Sequence, residues 1–167
     1  MNGRCFVVLA ITLVAALSPA GRASADAAVA AKHAENAVAE LFGPEEHSVG
    51  GARAGMLSIL DAVAAAATDA GMTDEWKATI AGARRRISEG SLVDGEAQLA
   101  LHQCYRQIND GKPFRMPEGI RSLDVITART RRLLESAPPL LRSGKAREAV
   151  RALLESAFMI LTPIEQG

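Results

Sequence analysis

Apolar residues recur along the chain at three- and four-residue intervals, and no stretch alternates apolar with polar in the manner of a strand. That spacing gathers them on one face of a helix. From Asp26 to Phe42, Ala30, Ala34, Ala37, Val38 and Leu41 share a face, Asp26 sits near the electropositive helix start, and Gly43-Pro44 is a stop. A second helix from Ala52 to Ala70 carries Met56, Leu60, Val63 and Ala67, with Gly71 just past its end. Thr73 reads as the cap of a third, with Asp74 and Glu75 in its first turn, Trp76, Ile80, Ala83 and Ile87 inward, and Gly90 closing it.

Ser91 with Asp94 resembles a capping box opening a fourth helix, which runs to Ile108 before Asn109-Asp110-Gly111. The segment Lys112–Pro117 is a loop in which Phe114 and Met116 anchor to the core. A fifth helix follows Pro117, with Ile120, Leu123, Ile126, Thr130, Leu133 and Leu134 inward, and is expected to end at Pro138-Pro139. The sixth spans Lys145 to Leu161, with Ala146, Ala149, Val150, Leu153, Leu154 and Ala157 inward. Short connections between six helices predict an all-α fold of three antiparallel αα-hairpins, closed as a compact bundle or, as the alternative, stacked as a short α-solenoid.

The second helix of each hairpin begins alike. Gly50-Gly51-Ala52-Arg53-Ala54-Gly55-Met56 aligns with Gly95-Glu96-Ala97-Gln98-Leu99-Ala100-Leu101 and with Gly144-Lys145-Ala146-Arg147-Glu148-Ala149-Val150. The apolar pairs Ile59/Leu60, Cys104/Tyr105 and Leu153/Leu154 follow in step. The third and fifth helices also match without gaps, Ile80-x-Gly-x-x-Arg85-Arg86-Ile87-x-Glu89 against Ile126-x-Ala-x-x-Arg131-Arg132-Leu133-x-Glu135. A glycine followed by small residues two and five positions on lets a helix start close against its partner. Spacings of this order suit two-helix repeat units, although the first-helix signature of tetratricopeptide repeats is absent.

The N-terminus changes the picture of where this domain works. Met1-Asn2-Gly3-Arg4 is positively charged, Cys5 to Leu17 is apolar apart from Thr12, and Ala23-Ser24-Ala25 offers small residues at −3 and −1 of a signal-peptidase site. Residues 1–25 therefore read as a cleavable secretory signal, and 26–167 as a single helical domain that is periplasmic or extracellular. The apolar run is short of the roughly 20 residues that span a bilayer, and no membrane span is expected after cleavage. The remaining 142 residues hold 17 basic and 19 acidic side chains, so nothing in the overall charge draws the domain to nucleic acid. The charge is uneven, however: residues 26–75 carry nine acids and two bases, residues 76–167 ten acids and fifteen bases.

Candidate chemistry is sparse. Cys104 is the one cysteine left after cleavage, on an apolar face with Ala97, Leu101 and Ile108, so it is a buried thiol or half of an intermolecular disulfide. The histidines His33, His47 and His102 lack the Glu-x-x-His and i, i+4 spacings of helical metal sites. Glu45-Glu46-His47 is a polar loop cluster, and His33 with Met159 is the one pairing at the same end of a four-helix bundle that haem ligation could use. A haem-attaching C-x-x-C-H, a phosphate loop, a nucleophile elbow and a zinc-protease motif are all absent, and no cofactor or catalytic residue is assigned.

What remains is arginine. Arg84-Arg85-Arg86 and Arg129, Arg131 and Arg132 occupy matching places in the repeat-like helices, before their expected C-termini, where the helix dipole favours positive charge. The same residues make a candidate basic patch for a protein or anionic partner; no aromatics interleave with them, against a single-stranded nucleic-acid platform. The expectation is an exported, non-catalytic interaction module with an Arg-rich helix face. A bundle holding a small ligand, haem or metal is the alternative.

Overall fold

The computed structural model describes residues 20–43, 49–118 and 122–161, with the side chains of 20–24 and 49 left aside. Within them lie six helices and no strand: α1 Ala20–Phe42, α2 Val49–Ala66, α3 Asp74–Glu89, α4 Gly95–Ile108, α5 Leu123–Arg142 and α6 Ala146–Leu161. The expected all-α fold of six helices is observed.

Helix boundaries follow local chemistry, with instructive departures. α1 starts six residues before Asp26, because the alanine-rich stretch ahead of it favours helix. At α4 the cap is Asp94 itself, whose carboxylate accepts the Ala97 N–H at 2.8 Å, so the anticipated capping box is replaced by a single acidic N-cap. Ser122 caps α5 by accepting from the Val125 N–H. That helix does not end at its prolines: it passes through Pro138 and Pro139 to Arg142. Each proline removes one N–H donor, yet Ala137, Pro138 and Leu141 are buried, and this packing offsets a propensity cost of about 3 kcal/mol per interior proline. The actual stop is Gly144, at φ +77°, where the Lys145 N–H reaches back to the Leu140 carbonyl at 2.9 Å in a Schellman-type closure.

Three antiparallel hairpins form, α1–α2, α3–α4 and α5–α6, and their mutual packing decides between bundle and solenoid. In a solenoid each hairpin would touch its sequence neighbour alone. Here α1 also packs on α5 and α2 on α6, so α1, α2, α6 and α5 close a four-helix ring, with α3–α4 laid against α2 and α6. The fold is a compact bundle.

Its core is built unequally. α1 contributes alanines, Ala27, Ala30, Ala31, Ala34 and Ala37, a stripe of small side chains against α2. At the mouth of that hairpin Gly55 meets Leu41 so closely that a Cβ there would fall 2.3 Å from Leu41 Cγ. The close approach expected of the repeated glycine pattern is thus seen at Gly55, five positions after Gly50, whereas a Cβ at Gly95 or Gly144 would meet nothing within 4 Å. α6 is the opposite case: Ala149, Val150, Leu153, Leu154, Ala157, Phe158 and Met159 are all buried, because it packs on one helix of every hairpin, α2, α4 and α5. The repeat-related pairs Ile59/Leu60, Cys104/Tyr105 and Leu153/Leu154 occupy equivalent buried positions. No helix among the described residues is long and apolar enough to cross a membrane.

Candidate functional site

The six arginines do not form one face. α3 lies on α2 and α4, whereas α5 lies on α1 and α6, so the two triplets occupy different sides of the bundle. Those on α3 are mostly committed to the fold. Arg84 grips Asp61 of α2 with two parallel bonds, Nε to Oδ1 at 2.5 Å and Nη2 to Oδ2 at 3.0 Å, and the carboxylate raises the guanidinium pKa further above its already high value. Arg86 bonds Asp94 through Nε and pairs with Glu96 through Nη1, both at 2.8 Å. Asp94 thereby holds the α3–α4 corner together; Arg86 first, and the Ala97 N–H second, keep its carboxyl below the usual aspartate range. The Arg85 side chain is exposed and makes no ion pair among the described residues, while its backbone carbonyl accepts from the Ser88 hydroxyl at 2.8 Å.

α5 presents its arginines differently. Because the helix continues through its prolines, Arg129, Arg131 and Arg132 lie in its middle, and the helix-dipole explanation for their position falls away. Arg131 turns toward Glu135 at 2.8 Å and sits 5.8 Å over the Phe42 ring of α1. Arg129 and Arg132 have no ion-pair partner among the described residues. Together with Pro117, Glu118, Asp124, Val125 and Ala128 they line an open groove of about 360 Å³ along the outer face of α5. Leu123 is 57% exposed and Val125 47% exposed at its start, two of five large apolar side chains that the described surface leaves in water.

The other candidates separate. His33 is half-buried on α1, while Met159 is 2% exposed on α6, diagonally across the ring. His47 lies outside the described residues, as does most of the signal segment; Ala23 and Ala25 fall in the first turns of α1. No group of three metal-binding side chains gathers among the described residues. Cys104 is fully buried on α4, its thiol pushed up to about 12 by burial, with Sγ 4.0 Å from the Trp76 carbonyl. The thiol is free and buried, so an intermolecular disulfide through it would require the helices covering it to part.

One cluster escaped the sequence reading. His102 stacks on Phe158 with centroids 4.2 Å apart, and Tyr105 meets Phe158 and Phe114 edge-on at 5.6 and 5.8 Å. The Tyr105 hydroxyl donates to Glu155 Oε1 at 2.8 Å, and burial followed by that carboxylate raises its pKa. Burial lowers that of His102. These rings come from α4, the following loop and α6, separated by up to 56 residues in sequence. Only the expectation that Phe114 anchors its loop pointed toward them. The arrangement joins α4 to α6 and supplies no nucleophile with a base and an acceptor site beside it.

No protein-family model matches the chain, and neither a curated protein nor a solved structure is significantly similar to it.

Proposed function

We propose that this chain is an exported, non-catalytic helical module whose task is to dock another protein on the outer face of α5. One observation carries the reading: Arg129 and Arg132, free of ion pairs among the described residues, flank an open groove beside exposed Leu123 and Val125. Apolar surface rimmed by available charge is what a protein interface needs, the first for affinity and the second for orientation. Arg84 and Arg86 of α3, by contrast, are tied to Asp61, Asp94 and Glu96 and serve the fold. Export rests on residues 1–25, whose charge, apolar run and Ala23-Ser24-Ala25 site suit signal-peptidase cleavage before Asp26.

A photo-cross-linking amino acid at Ala128, in cells that make and export the protein, tests the docking face. Cross-linked protein species are expected, lost in an Arg129→Glu/Arg132→Glu variant and kept in Arg85→Glu. Equal yields from all three forms would remove α5 from the proposal. N-terminal sequencing of the exported product checks that it begins at Asp26.

A further inference from the structure

We infer that the partner seated on the α5 face is a second copy of this chain, joined through an antiparallel α5–α5 contact with a twofold axis beside Ala128. The inference rests on the docking role proposed above for α5. Asp124, Ala128 and Arg132 follow one another at intervals of four, so they form one ridge along the helix. All three are exposed and line the same groove. The ridge has an acid at one end, a base at the other and a small residue at its midpoint. A twofold axis at Ala128 sets Asp124 of one copy opposite Arg132 of the second and Arg132 opposite Asp124, satisfying both ends by one operation. Self-complementarity of this kind is the requirement for an isologous interface.

The remaining chemistry of the groove agrees. Ala128 at the crossing point lets two helix axes approach at the short end of the usual 8–10 Å range. Val125 adjoins the ridge and gains an apolar neighbour. Glu118 and Arg129, the other charged lining residues, are again one of each sign. A face built for a purely acidic partner would gain from arginine alone, whereas this one carries its own counter-charge. The repeat-related ridge of α3 lacks the pattern: its matching positions are Ala78, Gly82 and Arg86, with no acid, and Arg86 is already paired. The capacity to pair with itself belongs to α5.

Sedimentation velocity on the full chain, over a series from micromolar to millimolar, tests this with charge exchange. The wild type is expected to move from one-chain to two-chain mass as concentration rises. Asp124→Arg alone sets base against base at both ends, and Arg132→Asp alone sets acid against acid. Each should weaken association about tenfold or more. The double variant Asp124→Arg/Arg132→Asp restores opposite signs and should recover the two-chain mass. Both substituted positions are on the surface, and equal far-UV circular dichroism will show that the variants fold. A one-chain mass at every concentration, single variants that still dimerise, or a double variant as dissociated as the singles would each overturn the inference. If the mass stays at one chain while Ala128 still cross-links a different protein, the second copy falls and the docking face stands. Loss of both defeats both.

Discussion

The stretches around Arg85 on α3 and Arg131 on α5 share an apolar-x-small-x-x-Arg-Arg-apolar-x-Glu pattern, yet the bundle puts them to different uses. In both, the first isoleucine, Ile80 or Ile126, is buried. The second apolar residue already differs: Ile87 is fully buried between neighbours, while Leu133 is only half covered. The charges differ most. α3 lies against α2 and leads directly into α4, so Arg84 and Arg86 find Asp61, Asp94 and Glu96. α5 borders α1 and α6 and leaves its outer side open, so Arg129 and Arg132 keep theirs free of ion pairs among the described residues. A local pattern thus selects the face that turns inward. What the outward charges do is settled by the elements nearby.

Paired substitutions can break this comparison. The largest effect is expected at the second apolar position: Ile87→Ala should cost about 2–5 kcal/mol in chemical unfolding. Its counterpart Leu133→Ala should cost about 1–2 kcal/mol, since less of its area leaves water. Equal losses would mean that the two helices are equally embedded. At the small position α3 has Gly82, where an added Cβ meets nothing within 4 Å, and α5 has Ala128. Gly82→Ala should therefore stabilise the protein by about 1 kcal/mol, through helix propensity alone. Asp61→Ala, which strips Arg84 of a partly exposed partner, should lower stability by about 1 kcal/mol or less.

The pH response sharpens the α3 side. Because Arg86 and the Ala97 N–H hold the Asp94 carboxyl below its ordinary range, that group stabilises the fold at pH values above the ordinary range. The contribution is lost as pH falls through the lowered pKa. Asp94→Asn should be less stable than wild type at neutral pH, and the two denaturation curves should converge in acid; a constant gap would assign the loss to the cap alone. Smallest of all, Arg129→Ala should leave the unfolding free energy unchanged within about 0.5 kcal/mol, because the side chain is exposed and without an ion pair among the described residues.

Much of this architecture is legible along the chain, for local reasons. The α3 start after Thr73, the turn at Gly71 and the inward stripe of α6 follow 3.6-residue periodicity and turn signals present in short windows, although Thr73 itself makes no side-chain capping bond and the α4 cap is Asp94 rather than Ser91. Where the reading failed, a distant contact had overridden a local preference. Pro138-Pro139 signals a stop, but the core holds Leu141 in place and the helix runs on. That error carried into the site, since it put the α5 arginines near a helix end they do not occupy. Nor does periodicity say which arginine meets an aspartate: Arg84 and Asp61 are 23 residues apart, and Tyr105 and Glu155 are 50 apart. The groove on α5 needs Pro117 and Glu118 folded back beside it, a relation fixed by tertiary packing.

α6 is buried on nearly every side and touches one helix of each hairpin, yet it is the sixth element in chain order. During synthesis everything up to Lys145 has been made before the first residue of this helix exists. The earlier hairpins can form locally, but until then α2, α4 and α5 lack the surface they share. Completion of the bundle is thus timed by the sixth of its described helices. Under the export proposed above, a keystone delivered late would act as a built-in delay before folding.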